Sequence, residues 1–268
     1  MCHGNGSYAF ILGLISGYPV GAKIVTNFRN SNLCSKSEGE RMLAFTNNSG
    51  PLFIIGTVGI TLFRSSAIGF LLLITHILAS ITVGIILGII SRLKEKSNVK
   101  NTTGINDNYN SKKCSLSNLG EIIGSSIINS IKTILMIGGF IVLFSVIISI
   151  LNSSKILTIS SYIFYPICNL FNIDCSFIKP ILTGLLELTN GVSLVANVPS
   201  KVLSINIILC SFLLGFGGIS VLLQILSITS KSDLSIKTYI YGKLLQGIIA
   251  VIYTYIFINS FSFLNFNL

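Results

Sequence analysis

The sequence predicts an all-α polytopic membrane protein: an inverted repeat in which each half runs re-entrant hairpin, broken helix and long helix. Three observations lead there. Of 268 residues, 51% are hydrophobic and only 10% charged, against roughly 25% charged in an ordinary soluble domain. Several apolar stretches reach the about 20 residues that a helix needs to cross a bilayer. Some of those stretches are interrupted in the middle by Gly, Pro, Asn or Ser, and the interruptions recur in the same order in the two halves.

The first half occupies residues 1–93. Its hairpin, 6–28, breaks at Ser16–Gly21 (SGYPVG); its broken helix, 42–63, breaks at Asn47–Pro51 (NNSGP); its long helix, 67–93, is continuous. Residues 94–118, rich in Asn and Lys, form a polar linker with too little apolar surface to pack. Residues 119–171 hold a crossing helix with a clean second part, then a shorter segment with Pro166 that fits an interfacial helix. The second half, 172–268, repeats the order: a hairpin at 177–198 interrupted by ELTNG (Glu187–Gly191), a broken helix at 203–229 interrupted by GFGG (Gly215–Gly218), and a long helix at 234–263. GLISGYPVGAKI lies against GLLELTNGVSLV, and AFTNNSGPLFII against SFLLGFGGISVL.

Charge orients the repeat. The net charge of +10 would suit nucleic acid in a soluble protein, but here the cations collect between spans, where they set topology. The bilayer is the expected partner, and no nucleic acid is. With the first hairpin entering and leaving on one side, Arg29, Lys36, Arg41, Arg92 and the linker lysines share that side, which the positive-inside rule makes cytosolic. The crossing helix then places the second hairpin on the opposite side, and Lys231 and Lys237 return to the first. Six cysteines lie scattered without a CxxC pair or a His at ligand spacing, so neither a metal nor any other cofactor is expected. MCHGNGSYAF carries no basic n-region and no A-x-A site, so a cleaved signal peptide is not expected.

Unpaired backbone is costly in hydrocarbon and is tolerated only where it is buried in protein or lines a cavity. Discontinuous helices of an inverted repeat, meeting near the midplane, build the substrate site of many secondary transporters, because half-helix N-termini offer free N–H donors. The candidate substrate-binding residues are therefore those of the breaks. In the first half they are Ser16, Gly17, Tyr18, Pro19, Lys23, Asn47, Asn48, Ser49 and Gly50; in the second, Glu187, Thr189, Asn190, Gly191, Gly217, Gly218, Ser220 and Gln224. Each has a plainer reading. Gly and Pro also serve as kinks or packing points, and Lys23 reaches an interface as readily as a substrate. Glu187 can pair structurally with Lys23 or Lys243, Asn47 to Ser49 can partner the broken backbone, and His76 can be a packed hydrogen-bonding residue instead of a proton relay. No HExxH, GxSxG or P-loop is present, and no enzyme activity is expected.

LISGYPVGAK, AFTNNSGPLF, ELTNG and FGGISVxxQxLS, in this order, resemble the sporulation membrane proteins of the nucleoside-recognition (Gate) superfamily. The resemblance covers nearly the whole chain apart from the linker. It implies the transport core of concentrative nucleoside transporters and, in endospore formers, movement of dipicolinic acid across the mother-cell-derived outer forespore membrane. For such a small planar dianion, Lys23 and the half-helix N-termini at Gly17 and Gly191 are the implied ligands. SGYP lacks the acidic and amide pattern that a ribose would need, although a nucleoside-type substrate stays an alternative, as does a non-transporting role in spore-envelope assembly. The resemblance also implies scaffold helices ahead of the first hairpin, whereas this sequence begins at MCHGNG just before it; either the gene model starts late, or the protein is truncated, or a scaffold partner or a homo-oligomer supplies them.

Overall fold

The computed structural model describes residues 4–97, 119–170, 174–200 and 202–260. Among them the regular structure is entirely helical. Helices α1 (Gly4–Ser16) and α2 (Val20–Asn30) pack against each other as a helical hairpin. Their approach is set by glycine: a Cβ on Gly13 would lie 3.1 Å from the Gly21 Cα and 2.1 Å from the Thr46 carbonyl oxygen. Helix α3 (Lys36–Thr46) starts upstream of the apolar stretch. Ser35 and Glu38 form a capping box there, each side chain accepting the other's backbone N–H, which frees the helix start from any need for hydrophobicity. After Asn47–Pro51 the chain continues as a π-helix, Leu52–Leu62, whose wide turns show in the Phe63 N–H to Val58 carbonyl bond of 3.1 Å. The long helix α4 (Ser66–Ser97) follows.

Helix α4 takes the first residues of the expected linker, and residues 98–118 lie outside the described residues. Helix α5 (Leu119–Ser153) is followed by α6 (Ile156–Leu170), which carries Pro166 inside it. A 3-10 turn, Cys175–Phe177, leads into α7 (Ile178–Leu186) and α8 (Leu188–Ala196), the second helical hairpin. Its break is narrower than ELTNG predicts. Only Glu187 leaves helical geometry, because its own side chain caps α8 and lets the helix resume at once. The next break narrows similarly: α9 (Leu203–Phe216) and α10 (Gly218–Thr229) are separated by Gly217 alone, at φ 87°, a left-handed position that favours glycine. Helix α11 (Lys237–Ser260) ends the described chain.

Among the described residues, four helical stretches are long and apolar enough to span a bilayer: 66–93, 119–153, 203–229 and 237–260. Of the apolar window in α5 only 11% is buried against the rest of the described protein, so most of this helix's apolar surface is left open. Two hydrophobic cores lie between the helices. One joins α7, α8 and α9 to the π-helix and α4 through Ile54, Leu72, Val192 and Leu213. The other joins α1, α2 and α3 to α10 and α11 through Ala22, Met42, Ile225 and Tyr239. Each hairpin thus packs beside the second limb of the other half's broken helix.

The loops after α2 and α10 meet on one face. Arg29 donates from Nε and Nη2 to the two Asp233 carboxylate oxygens at 2.8 and 2.9 Å, and the Ser235 N–H donates to Glu40 Oε1 at 3.0 Å. The cationic loops of the two halves, expected to share a side, are joined there.

Candidate functional site: three breaks and a helix around one cavity

The breaks touch one another, and the contact is backbone to backbone. A Cβ on Gly17, at φ 77°, would lie 3.0 Å from the Gly50 nitrogen, so the first hairpin tip rests on the first broken helix. A Cβ on Gly218, at φ 82°, would lie 3.0 Å from the Gly184 carbonyl oxygen and 3.3 Å from the Leu188 nitrogen, placing the second tip on the second broken helix. Tyr18 links the two pairs, since its hydroxyl would be 3.0 Å from a Cβ on Gly217. Left-handed or closely packed backbone at these points excludes side chains. The substitute for them is a cavity of about 370 Å³.

Ser16, Gly17 and Tyr18 line this cavity from the first tip, Ser49 and Gly50 from the first broken helix, Glu187 and Thr189 from the second tip, and Gln224 from α10. Ile137 and Ile141 of α5 close its apolar side. Gln224 Oε1 of this lining is buried without a hydrogen bond, as is Ser220 Oγ on α10, while the Tyr18 hydroxyl and Ser49 Oγ have only each other. Buried polar groups in proteins are nearly always satisfied, so this concentration marks a place that a polar molecule can fill.

Other expected residues have structural employment. Lys23 is half-buried and donates to Thr133 of α5, away from the cavity lining; its position three residues beyond the tip turns it outward along α2. Pro19, joined to Tyr18 by a cis peptide bond, sits at the start of α2. Asn190 donates to Ser145 Oγ at 2.9 Å, a second tie to α5. Glu187, 2% exposed, accepts the Thr189 and Asn190 N–H groups at 3.1 and 2.7 Å. The α8 N-terminus is therefore occupied by the chain's own carboxylate, which corrects the expectation of an open anion site there. Gly191 lies within α8, where a Cβ would fall 1.9 Å from the Gly184 Cα, so its role is hairpin packing.

Behind Tyr18 lies a polar centre that joins the halves. Asn48 donates to the Phe45 carbonyl at 2.8 Å and to Ser80 Oγ at 3.1 Å, and its Oδ1 accepts from Gln246 Nε2 at 2.9 Å and Lys243 Nζ at 3.4 Å. Lys243 also donates to Gln246 Oε1 at 2.7 Å. Asn47 Oδ1 accepts the Ala22 N–H at 3.4 Å, anchoring the first hairpin to the same break. Lys243 is 1% exposed, with its Nζ 5.4 Å from the Tyr18 ring centroid and 5.8 Å from that of Tyr239. Its contacts are amides and aromatic faces, and Glu187 is engaged elsewhere. His76, also buried, has neither ring nitrogen hydrogen-bonded. Sequence reasoning weighed Lys243 only as a counter-ion; the signal available was Lys243 with Gln246 at i, i+3, which puts two polar groups on one face of an otherwise apolar span.

No family model matches the chain and no solved structure matches it, so the wider superfamily rests on the motifs alone. Among curated proteins, sporulation integral membrane protein YlbJ of Bacillus subtilis (strain 168) is 33% identical over 258 residues, 93% of this chain and 63% of that protein. The chain spans less than two thirds of that relative's length. With this identity over nearly all of its length, and with a helical architecture of spanning segments, the chain is a membrane protein related at family level to sporulation integral membrane protein YlbJ.

Proposed function

We propose that this chain forms the substrate-binding core of a membrane carrier for a small organic anion, and that its substrate is dipicolinic acid moving from mother cell to forespore. The observation that carries the reading is the meeting of breaks from both halves around one cavity with unsatisfied buried polar atoms. Broken helices at such a meeting point are how carriers expose one site to two sides in turn. The matching order of elements and the exchanged packing of the two hairpins support an inverted repeat. Lys243 supports an anion: a buried cation is expensive unless it has a partner or a function, and this one stands behind Tyr18 without a carboxylate. A planar dianion entering the cavity would meet hydroxyl and amide groups at its rim and the Lys243 charge beyond the tyrosine. On this reading the loops after α2 and α10 face the cytosol, the membrane is the outer forespore membrane, and the chain carries its substrate without chemical change.

The test restores a deleted gene in a sporulating host as wild type, Lys243→Met, Gln224→Leu or Lys23→Ala, and assays dipicolinate separately in mother cells and spores. Loss of a hydrogen-bonded charge costs about 1.5–3 kcal/mol, so Lys243→Met at normal abundance should reduce spore filling by about tenfold or more, and Gln224→Leu by less. Lys23→Ala should fill spores as wild type does. Normal filling by both Lys243→Met and Gln224→Leu would sink the anion-site assignment and favour a docking role in envelope assembly.

A further inference from the structure

We propose that the groove between α1, α3 and α4 binds one anionic phospholipid, with an acyl chain along α4 and the phosphate against Arg41 and Arg92. This site is separate from the central cavity and does not depend on what that cavity carries. The groove encloses about 360 Å³. Its long wall is a single face of α4, from Ile81 through Ile85 and Ile89 to Arg92, about 16 Å of helix at 1.5 Å per residue. These three isoleucines are 41–55% exposed, so the wall is a surface that only an apolar occupant covers without cost. Phe45 packs over Gly84, whose Cβ would lie 3.1 Å from the ring, whereas a Cβ on Gly88 would meet nothing within 4 Å. The groove is therefore closed at one glycine and open at the next.

Its charged end decides the occupant. Arg41 and Arg92 both line the groove, and among the described residues no acidic side chain lines it with them. Arg41 Nε is buried without a hydrogen-bond partner, and the neighbouring Glu40 is turned to the Ser235 amide. Arg41 is half-buried, and an Nε–H out of water without an acceptor is costly; a phosphate is the anion whose geometry fits the guanidinium fork. An apolar stripe running into two arginines, on the face where the cationic loops gather, matches an anionic lipid in shape and charge.

The full chain, purified in detergent and exposed to equal phosphatidylglycerol and phosphatidylcholine, is assayed for retained lipid by native mass spectrometry. One phosphatidylglycerol should be retained. The pair Arg41→Gln with Arg92→Gln should weaken its retention by about tenfold or more while leaving weak phosphatidylcholine binding unchanged. Gly88→Phe fills open space and should expel the lipid, with elution volume and helical circular dichroism reporting that the variants stay folded. Equal retention of the two lipids, or undiminished retention by the arginine pair, overturns the proposal. Displacement by inorganic phosphate would overturn it in favour of a plain anion site. Cross-linking of Ile85→Cys to a protein helix instead of lipid would overturn it in favour of a protein occupant.

Discussion

Glu187 shows how a residue can be conspicuous in sequence for a reason that only geometry supplies. A carboxylate in an apolar stretch announces a partner, but sequence distance favours distant lysines and hides the two N–H groups that start the next helix turn. Removing those bonds with Glu187→Ala should cost about 1–2 kcal/mol of stability. Gly191→Ala should cost as much or more, because its Cβ would collide with the Gly184 backbone at 1.9 Å and overpacking costs about 1–3 kcal/mol. Gly88→Ala, with open space around it, should be neutral or mildly stabilising. Thermal unfolding in detergent ranks the three, and Gly191→Ala as stable as Gly88→Ala would contradict the packing. Ser16, Gly17, Ser49 and Gly50 of the cavity lining stand out in the sequence because Ser and Gly crowded within an apolar stretch are conspicuous by composition. Lining residues such as Ile137 and Phe53 look like any other apolar residue of a span. Lys243 was not legible, because a single lysine in a span reveals nothing of the aromatic rings that enclose it.

At the scale of elements, hydropathy located the helices and misplaced several ends. Helix α3 begins among Lys36, Glu38 and Glu40 because the Ser35–Glu38 box closes its N-terminus, a signal present in the sequence but outside any apolar window. The breaks in the second half shrank to Glu187 and to the left-handed pair Gly217 and Gly218, because one cap and two left-handed glycines suffice to turn a helix. The loops that follow α2 and α10 carry their own prediction. The Arg29 hydrogen bond holds the Asp233 carboxyl below its ordinary range, so whatever this clamp adds is present above the unfolded value of about 3.9 and is lost as pH falls through the lower folded value. Arg29→Gln should move the Asp233 titration up toward about 3.9, and a carboxylate-resolved NMR titration reads it. An unmoved Asp233 would show that the two loops are not joined. Both groups are solvent-accessible, so the global stability of the variant should barely change.

For the molecule as a whole, the order of elements was legible, since it needed only the positions of spans and breaks. Which helices face one another was not, because periodicity is weak in segments that are apolar all round. The structure exchanges partners between halves: the first hairpin buries itself against α10 and α11, the second against the π-helix and α4. Each hairpin also packs within its own half, α1 and α2 on α3, α7 and α8 on α9, and the exchange adds a second face that neither half alone can cover. Splitting the chain within residues 98–118 should give two fragments that are each degraded or aggregated when made singly and that copurify when made together. A stable, monodisperse fragment of residues 1–100 would refute the exchange.

The same exchange sets a clock on biosynthesis. Asn48 takes its hydrogen bond from Gln246, 198 residues later in the chain. At about 5–20 residues per second, the ribosome delivers that partner on the order of 10–40 s after the first broken helix has been made. During that interval NNSG is an open, polar kink in a nascent membrane protein, and the insertion machinery, water or a chaperone must hold it until α11 arrives.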